Sequence, residues 1–317
     1  MNISVISMIK SPHNFATWLK YHKIFVSNFY FIFDHKLDSD EFGVLRKMAE
    51  SYLQGRNVMV HSTFQYFTPS KKAGTTKYTE IIHKQVLCVN AVIKTTPKKN
   101  GLLFFIDDDE LLYIPKNHYV AENFVLGWIQ NLEGRIQRND IDGTNIFKNS
   151  TLFETDKNRF HAYNNGKPVM NTLYKDHIQL HPTGPHRFIV KYPILKKPEY
   201  TYHSLERPGK NEPIPIHDAC ILHCDSTTFK KWIEKFQFAI EEPVAMTDFA
   251  FYNESIAHAV SLKACLKGRF DYICSESGPF CCNELAKAYF INKKVRALPS
   301  MTIISRDELF PARILQD

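Results

Sequence analysis

The chain has 317 residues, 44% of them hydrophobic, so it can bury a large core, and its composition excludes a disordered protein. Its formal net charge of +7 comes without a zinc-finger or RNP-type motif, so we expect no nucleic-acid partner. Seven cysteines without a C-x-x-C pair exclude a disulfide framework or a zinc site and favour a reducing compartment.

The first third of the chain alternates strand-like and helix-like segments. Residues 2 to 9 alternate and include β-branched residues, which predicts a strand. Asn14 is the predicted cap of a helix from Phe15 to Lys23. Five further elements are predicted in chain order: a strand at 28 to 33, a helix at 42 to 54, a strand at 58 to 61, a helix at 79 to 92 and a strand at 102 to 106. This alternation predicts an α/β fold with a doubly wound, mostly parallel sheet and helices on both faces.

Four acids, Asp107, Asp108, Asp109 and Glu110, directly follow the last of these strands. Carboxylates this close repel each other, and a divalent cation is the obvious compensation because Mg²⁺ and Mn²⁺ prefer oxygen ligands. Asp34 closes an earlier strand at the same carboxyl edge of the sheet, where open α/β sheets bind ligands. The acids therefore predict a metal-diphosphate site, with a solvated acidic turn as the alternative.

Known nucleotide-binding motifs are missing from the chain. It contains neither a G-x-G-x-x-G after the first strand nor a G-x-x-x-x-G-K-[ST] element. A nucleotide would then be held by carboxylates on its base or ribose and by a metal on its diphosphate.

Several sequence blocks resemble the GT-A glycosyltransferases, in particular the bacterial and viral branch of family-2-like enzymes related to family 92. The carriers of the resemblance are the Trp18-Leu19-Lys20-Tyr21-His22 helix, the strand end Phe33-Asp34-His35 with the nearby Ser39-Asp40, and residues 105 to 110, which resemble a D-x-D-E metal motif. Further blocks follow in the same order at 130 to 133, 160 to 167, 184 to 188, 222 to 226 and 251 to 255.

The resemblance covers residues 3 to 260 and implies a GT-A (nucleotide-diphospho-sugar transferase) catalytic domain at residues 1–245. Residues 1–115 would form the donor nucleotide half and residues 116–245 the acceptor half, followed by a helical C-terminal appendage at 246–317. The implied activity moves a sugar from a nucleoside diphosphate donor, with UDP preferred, to a hydroxyl of a glycan or other acceptor.

The metal ligands implied by this pattern are Asp107, Asp109 and His223, holding Mn²⁺ or Mg²⁺. Asp107 and Asp109 point the same way if strand geometry continues through the tip. His223 directly follows a predicted strand at 219 to 222. There it is either a metal ligand or a structural histidine.

The donor would be bound by Lys10, Asp34, Asp107 and Lys167. For the base that takes the acceptor proton, the candidates are Glu133 and His186, with Glu254 as a weaker alternative. The sequence does not decide among them, but it favours Glu133, which follows a predicted strand at 125 to 129.

Two other functions stay open: a different metal-dependent nucleotide-processing enzyme, such as a nucleotidyltransferase or phosphatase, or a non-catalytic basic binding protein. Without an apolar run of about 18 residues, we expect a cytoplasmic protein, with peripheral membrane contact as the alternative. The sequence does not determine the oligomeric state.

Overall fold

The structure is a computed structural model that describes residues 2–12, 14–68, 77–114, 125–136, 145–156, 166–182, 184–190, 219–224 and 301–311. The chain divides into two compact units, residues 1–131 with 165–221 and residues 132–164 with 222–317. The predicted boundary at residue 245, the candidate Glu254 and most of the predicted C-terminal appendage lie outside the described residues.

The described elements follow the predicted alternation up to the fourth strand, with ends shifted by a few residues. In chain order they are β1 (Asn2–Ile9), α1 (Phe15–His22), β2 (Asn28–Phe33), α2 (Asp40–Tyr52), β3 (Asn57–Ser62), α3 (Lys77–Thr95), β4 (Gly101–Phe105), β5 (Glu110–Tyr113), β6 (Leu126–Ile129), β7 (Asn131–Ile136), α4 (Ile146–Asn149), β8 (Ser150–Glu154), β9 (Lys167–Asn171), β10 (Ile178–Leu180), β11 (Phe188–Val190), β12 (Cys220–His223), β13 (Met301–Ile303) and α5 (Arg306–Leu309).

The first unit contains a six-stranded sheet with the strand order β3-β2-β1-β4-β9-β6. Strands β1 to β4 pair in parallel, whereas β9 runs antiparallel to both β4 and β6. The chain first moves outward from β1 to β3 and then returns to place β4 on the other side of β1. The order therefore reverses between β1 and β4, and open α/β sheets bind ligands outside the carboxyl ends of the strands at such a point.

Helices cover both faces of this sheet because the residues of β2 alternate between two apolar environments. Phe31 packs edge-on against Phe15 of α1, and Phe33 packs in the same way against Phe42 of α2. Tyr30 and Ile32, on the opposite face, belong to a buried cluster with Val86, Val89 and other residues of α3. The predicted α/β fold with a mostly parallel sheet is confirmed for this part of the chain.

Helix α1 begins differently from the prediction. Asn14 has a left-handed backbone (φ 56°) and makes no side-chain capping bond. Asparagine tolerates this conformation better than most residues, and its backbone carbonyl still accepts from the Trp18 N–H at 3.1 Å. Asn14 is therefore the N-cap residue, as predicted, but it does not cap the helix through its side chain, whereas α2 has a side-chain cap from Ser39.

The second unit contains a separate antiparallel ladder. Strand β8 pairs with β7 on one side and with β13 on the other. Phe147 of α4 and Phe153 of β8 are fully buried. Among the described helices of the whole chain, none combines the length and the apolar character that a membrane-crossing helix needs.

Candidate active site at the acidic turn

The acidic turn, Asp107 to Glu110, lies at the carboxyl end of β4, beside β1. All of β4 is buried, and the Ile106 N–H extends the parallel ladder by donating to the Ile6 carbonyl at 3.1 Å. Asp107, Asp108 and Asp109 are then partly exposed, whereas Glu110 is buried. The turn therefore lies at the switch point of the six-stranded sheet.

Glu110 closes the turn through its own side chain. One of its carboxylate oxygens accepts from the Asp107 backbone N–H at 2.7 Å, and its backbone N–H donates to the Asp107 carbonyl at 3.3 Å. Glu110 thus makes structural hydrogen bonds within the turn. It pins the first acid of the turn to the last.

Lys167 supplies a positive charge beneath the turn. Its side chain is fully buried, its ammonium group forms a short ion pair with Asp107, and it lies 3.4 Å from a Glu110 oxygen. The ammonium is also 5.5 Å from the centre of the Phe105 ring. The structure thus brings together two of the predicted donor-binding residues, Asp107 and Lys167.

The pKa of Lys167 shows which influence dominates. Burial by itself would lower this pKa, but the charges of Asp107, Glu110 and Asp109 and the hydrogen bond to Asp107 together raise it above its ordinary value. Lys167 is therefore a charged ammonium at neutral pH, although it is removed from water.

Four neighbouring residues surround the backbone before Lys167. Gly166 has a φ of 68°, and a Cβ there would overlap the Ile129 carbonyl oxygen and come within 2.7 Å of the Trp128 ring. The Asn131 side chain accepts from the Gly166 N–H at 3.2 Å, and His186 Nδ1 lies 2.9 Å from the Gly166 carbonyl. These contacts fix where β9 begins and so where Lys167 enters the site.

His186 is oriented by this contact. A carbonyl can only accept, so Nδ1 of His186 donates the hydrogen bond to Gly166. The sequence placed His186 among the candidate bases, and the structure adds that it supports the backbone beside Lys167.

Three side chains of α1 bind the backbone of β5, directly after the turn. Trp18 Nε1 donates to the Glu110 carbonyl at 2.8 Å, and the Tyr21 hydroxyl donates to the Leu112 carbonyl at 3.2 Å. The Leu112 N–H donates to His22 Nε2 at 3.0 Å. The Trp-x-x-Tyr-His pattern therefore has a physical role, since it attaches the acidic turn to the first helix.

His22 must be neutral to make this contact. Its Nδ1 donates to the Trp18 carbonyl at 3.0 Å, which leaves Nε2 as the acceptor for Leu112. Burial lowers the pKa of His22 to about 3, and the bond to Trp18 only partly opposes this shift.

Asp34 lies at the same sheet edge, at the end of β2. It accepts from the Thr63 hydroxyl at 2.6 Å and from the Lys84 ammonium at 3.0 Å. Burial would raise the pKa of Asp34, but these two bonds and the charges of Lys84 and Lys10 hold it below its ordinary value. Lys10 and Asp34, both predicted donor-binding residues, are thus electrostatically coupled.

Sequence reasoning missed Lys84 and Thr63. Lys84 is four residues before Cys88 on α3, and Cys88 is fully buried. Residues four positions apart lie on the same face of a helix, so Lys84 shares the face of Cys88. A lysine on the buried face of a helix is the signal that could have identified Lys84. Thr63 follows β3 without any distinguishing pattern.

Glu133 lies in the second unit and is fully buried. One of its oxygens is 3.5 Å from Arg135 Nη1, and the side chains of both residues are at most 2% exposed. This is the geometry of a structural ion pair, and the catalytic role of Glu133 stays a prediction.

The three predicted metal ligands are divided between the two units. Asp107 and Asp109 lie on the acidic turn of the first unit, where Asp107 contacts Lys167. Their carboxylates are oxygen ligands of the kind that Mg²⁺ and Mn²⁺ prefer. His223, the last residue of β12, belongs to the second unit and is buried. The metal-binding role of these three residues stays a prediction.

Comparisons with known proteins give little further guidance. No family model matches the chain, and no curated protein matches it in sequence. Among solved structures, the apo form of mouse xyloside xylosyltransferase 1 is a weak neighbour, with a TM-score of 0.23 and 12% identity over 55% of this chain and 68% of that chain. A likeness this low carries no weight, so function must be inferred from the contacts at the sheet edge.

We predict that His22 makes the protein acid-sensitive. Its pKa in the folded protein is about 3, below the ordinary 6.5. The free energy that neutral His22 contributes to folding is therefore fully present above pH 6.5 and is lost as the pH falls towards 3. The free energy of unfolding should therefore fall by up to about 1.4 kcal/mol per pH unit in that window. Urea denaturation at pH 7, 6, 5 and 4 measures it.

His22→Gln is the control for this prediction, because it removes the titrating ring. The variant should be less stable at pH 7 by roughly 1–3 kcal/mol, since a buried hydrogen bond is lost. Its stability should then depend less on pH than that of the wild type. Equal slopes for the two proteins would show that His22 does not titrate on unfolding.

We predict that Gly166→Ala is strongly destabilising, by more than about 3 kcal/mol, because strain at positive φ adds to the overlap with Ile129. Gly55→Ala is the matched control, since Gly55 also has positive φ (82°) but a Cβ there meets nothing within 4 Å. It should cost only about 1–2 kcal/mol. Thermal and urea unfolding compare the two, and equal losses would contradict the steric explanation.

Proposed function

We propose that this protein is a metal-dependent glycosyltransferase of the GT-A type, which moves a sugar from a nucleoside diphosphate, with UDP preferred, to a hydroxyl of a glycan or other acceptor. The observation that carries the proposal is the position of the acidic turn at the switch point between β1 and β4, with Asp34 at the same edge. In this proposal residues 1–115 bind the donor and residues 116–245 shape the acceptor side.

The donor would lie along the carboxyl edge of the sheet. Asp34 and Lys10 would bind the nucleoside, and the Asp34 contacts with Thr63 and Lys84 support this because they hold its carboxylate in one orientation. Asp107 and Lys167 would contact the ribose and the diphosphate. The ammonium of Lys167 is the right charge for a phosphate oxygen.

A divalent cation would be held by Asp107 and Asp109 of the acidic turn, with His223 as a further ligand. The partly exposed carboxylates of Asp107 and Asp109 at the switch point of the sheet support the first two assignments. Bound there, Mn²⁺ or Mg²⁺ would supply Lewis-acid stabilisation of the departing diphosphate. The chain's own contribution is to orient the turn through Trp18, Tyr21 and His22.

His186 is the better supported of the candidate bases. Its Nδ1 contacts the Gly166 carbonyl, so Nε2 would be the nitrogen that takes a proton, whereas the Glu133 carboxylate is buried against Arg135. In the proposed reaction His186 would take the proton of the acceptor hydroxyl.

A panel of nucleotide sugars with Mn²⁺ tests the proposal. At least one UDP-sugar should raise the melting temperature in the presence of Mn²⁺ and be hydrolysed or transferred, and EDTA should abolish both effects. Asp109→Asn should lower turnover by roughly 10²-fold or more, because it removes a charge that the cation needs.

Asp176→Asn is the matched control for Asp109→Asn. Asp176 forms an exposed ion pair with Lys98 at 2.9 Å, so its loss removes the same charge and should leave turnover unchanged. Turnover of simple phosphate esters without any nucleotide sugar would instead identify a phosphatase. If no nucleotide sugar binds and Asp109→Asn has no effect, the proposal is wrong.

A further inference from the structure

Lys167 occupies a position that a metal site would normally avoid. Its side chain is fully buried, whereas its ion-pair partner Asp107 is 30% exposed. A ligand from solvent can therefore reach Asp107 from one side while the ammonium approaches it from the protein interior. A divalent cation placed on Asp107 would lie close to an existing positive charge, and like charges in a partly desolvated site repel strongly.

The lysine cannot move away as a whole. Lys167 pairs with Ile129 in the β6–β9 ladder, and Gly166 before it is held by Asn131 and His186. Only the side chain can change partners. A buried ammonium is costly without a negative partner, so Lys167 can leave Asp107 only if another anion replaces it.

An incoming diphosphate provides that anion. Its oxygens can accept from the ammonium, which frees Asp107 to share an oxygen with a cation, and its negative charge screens the cation from Lys167. Neither partner alone achieves both effects. The cation without the diphosphate meets repulsion, and the diphosphate without the cation meets the carboxylates of the turn.

We propose that Lys167 is the internal counter-ion of the acidic turn and makes the binding of a divalent cation depend on the binding of a diphosphate. This inference rests on the proposed function, because it assumes a nucleoside diphosphate at the turn. Lys167 is then a positioning residue that keeps the turn charge-balanced before the donor binds and transfers its contact to the donor afterwards.

Titration calorimetry with Mn²⁺, in the presence and absence of saturating UDP, tests this dependence. In the wild type, UDP should lower the Kd for Mn²⁺ by a factor within the usual range of linked sites, roughly 5- to 150-fold. By reciprocity, Mn²⁺ should lower the Kd for UDP by the same factor. If UDP leaves the Kd for Mn²⁺ of the wild type unchanged, the inference is overturned.

Lys167→Met removes the ammonium and should weaken the dependence of one binding event on the other. Mn²⁺ alone should bind about 5-fold or more tightly than in the wild type, and the effect of UDP on the Kd for Mn²⁺ should fall by a similar factor, with the remainder due to direct contact between the cation and the diphosphate. Tighter metal binding is a gain that general structural damage would not produce. Lys98→Met, which removes a lysine that is 52% exposed, should behave as the wild type.

Lys167→Gln is the second variant, in case the methionine leaves Glu110 too poorly compensated to fold, because its amide can still donate a hydrogen bond. It should show the same tighter binding of Mn²⁺ alone. If the wild type binds Mn²⁺ and UDP cooperatively and a folded Lys167 variant does so equally, only this inference falls. If the wild type binds no UDP even with Mn²⁺, the proposed function falls with it.

Discussion

The buried ion pair between Lys167 and the acidic turn is the interaction on which the rest of the site depends. Four consecutive carboxylates at the end of a buried strand would repel each other and the electron-rich carbonyl ends of the sheet. The compensating charge comes from β9, which is inserted antiparallel between β4 and β6. Because β9 runs opposite to β4, its first residue lies level with the end of β4, where the acids begin.

Helix α1 provides the second constraint on the turn. Its three polar contacts all reach backbone atoms of β5, so they fix the path of the chain after the turn and not the side chains within it. The arrangement requires a neutral His22, and burial supplies that state by lowering its pKa. Orientation of the acids is thus maintained by groups that carry no charge and do not compete for a cation.

Asp34 and Lys84 form a second ion pair between an acid and a lysine, on the other side of β1. Their side chains are 12% and 16% exposed, and Thr63 adds a hydrogen bond that fixes the carboxylate. A sheet edge with two acid–lysine pairs, both formed in advance, requires little rearrangement to receive a polar ligand. In the proposed function, this pre-organisation would let the edge bind the donor with little movement of Asp34 and Lys84.

The sequence by itself determined the parallel half of the fold and the meeting of its acids, because period-two and period-3.6 patterns specify β1 to β4, and parallel strands end at a common edge. It also marked Asp34, Asp107 and Lys167 as site residues. Only the tertiary structure paired Asp107 with Lys167, added Lys84, and gave Trp18, Tyr21 and His22 their partners. These contacts join residues up to 92 positions apart, and local patterns carry no information about which distant group a polar side chain will meet once the helices and the antiparallel strand have packed.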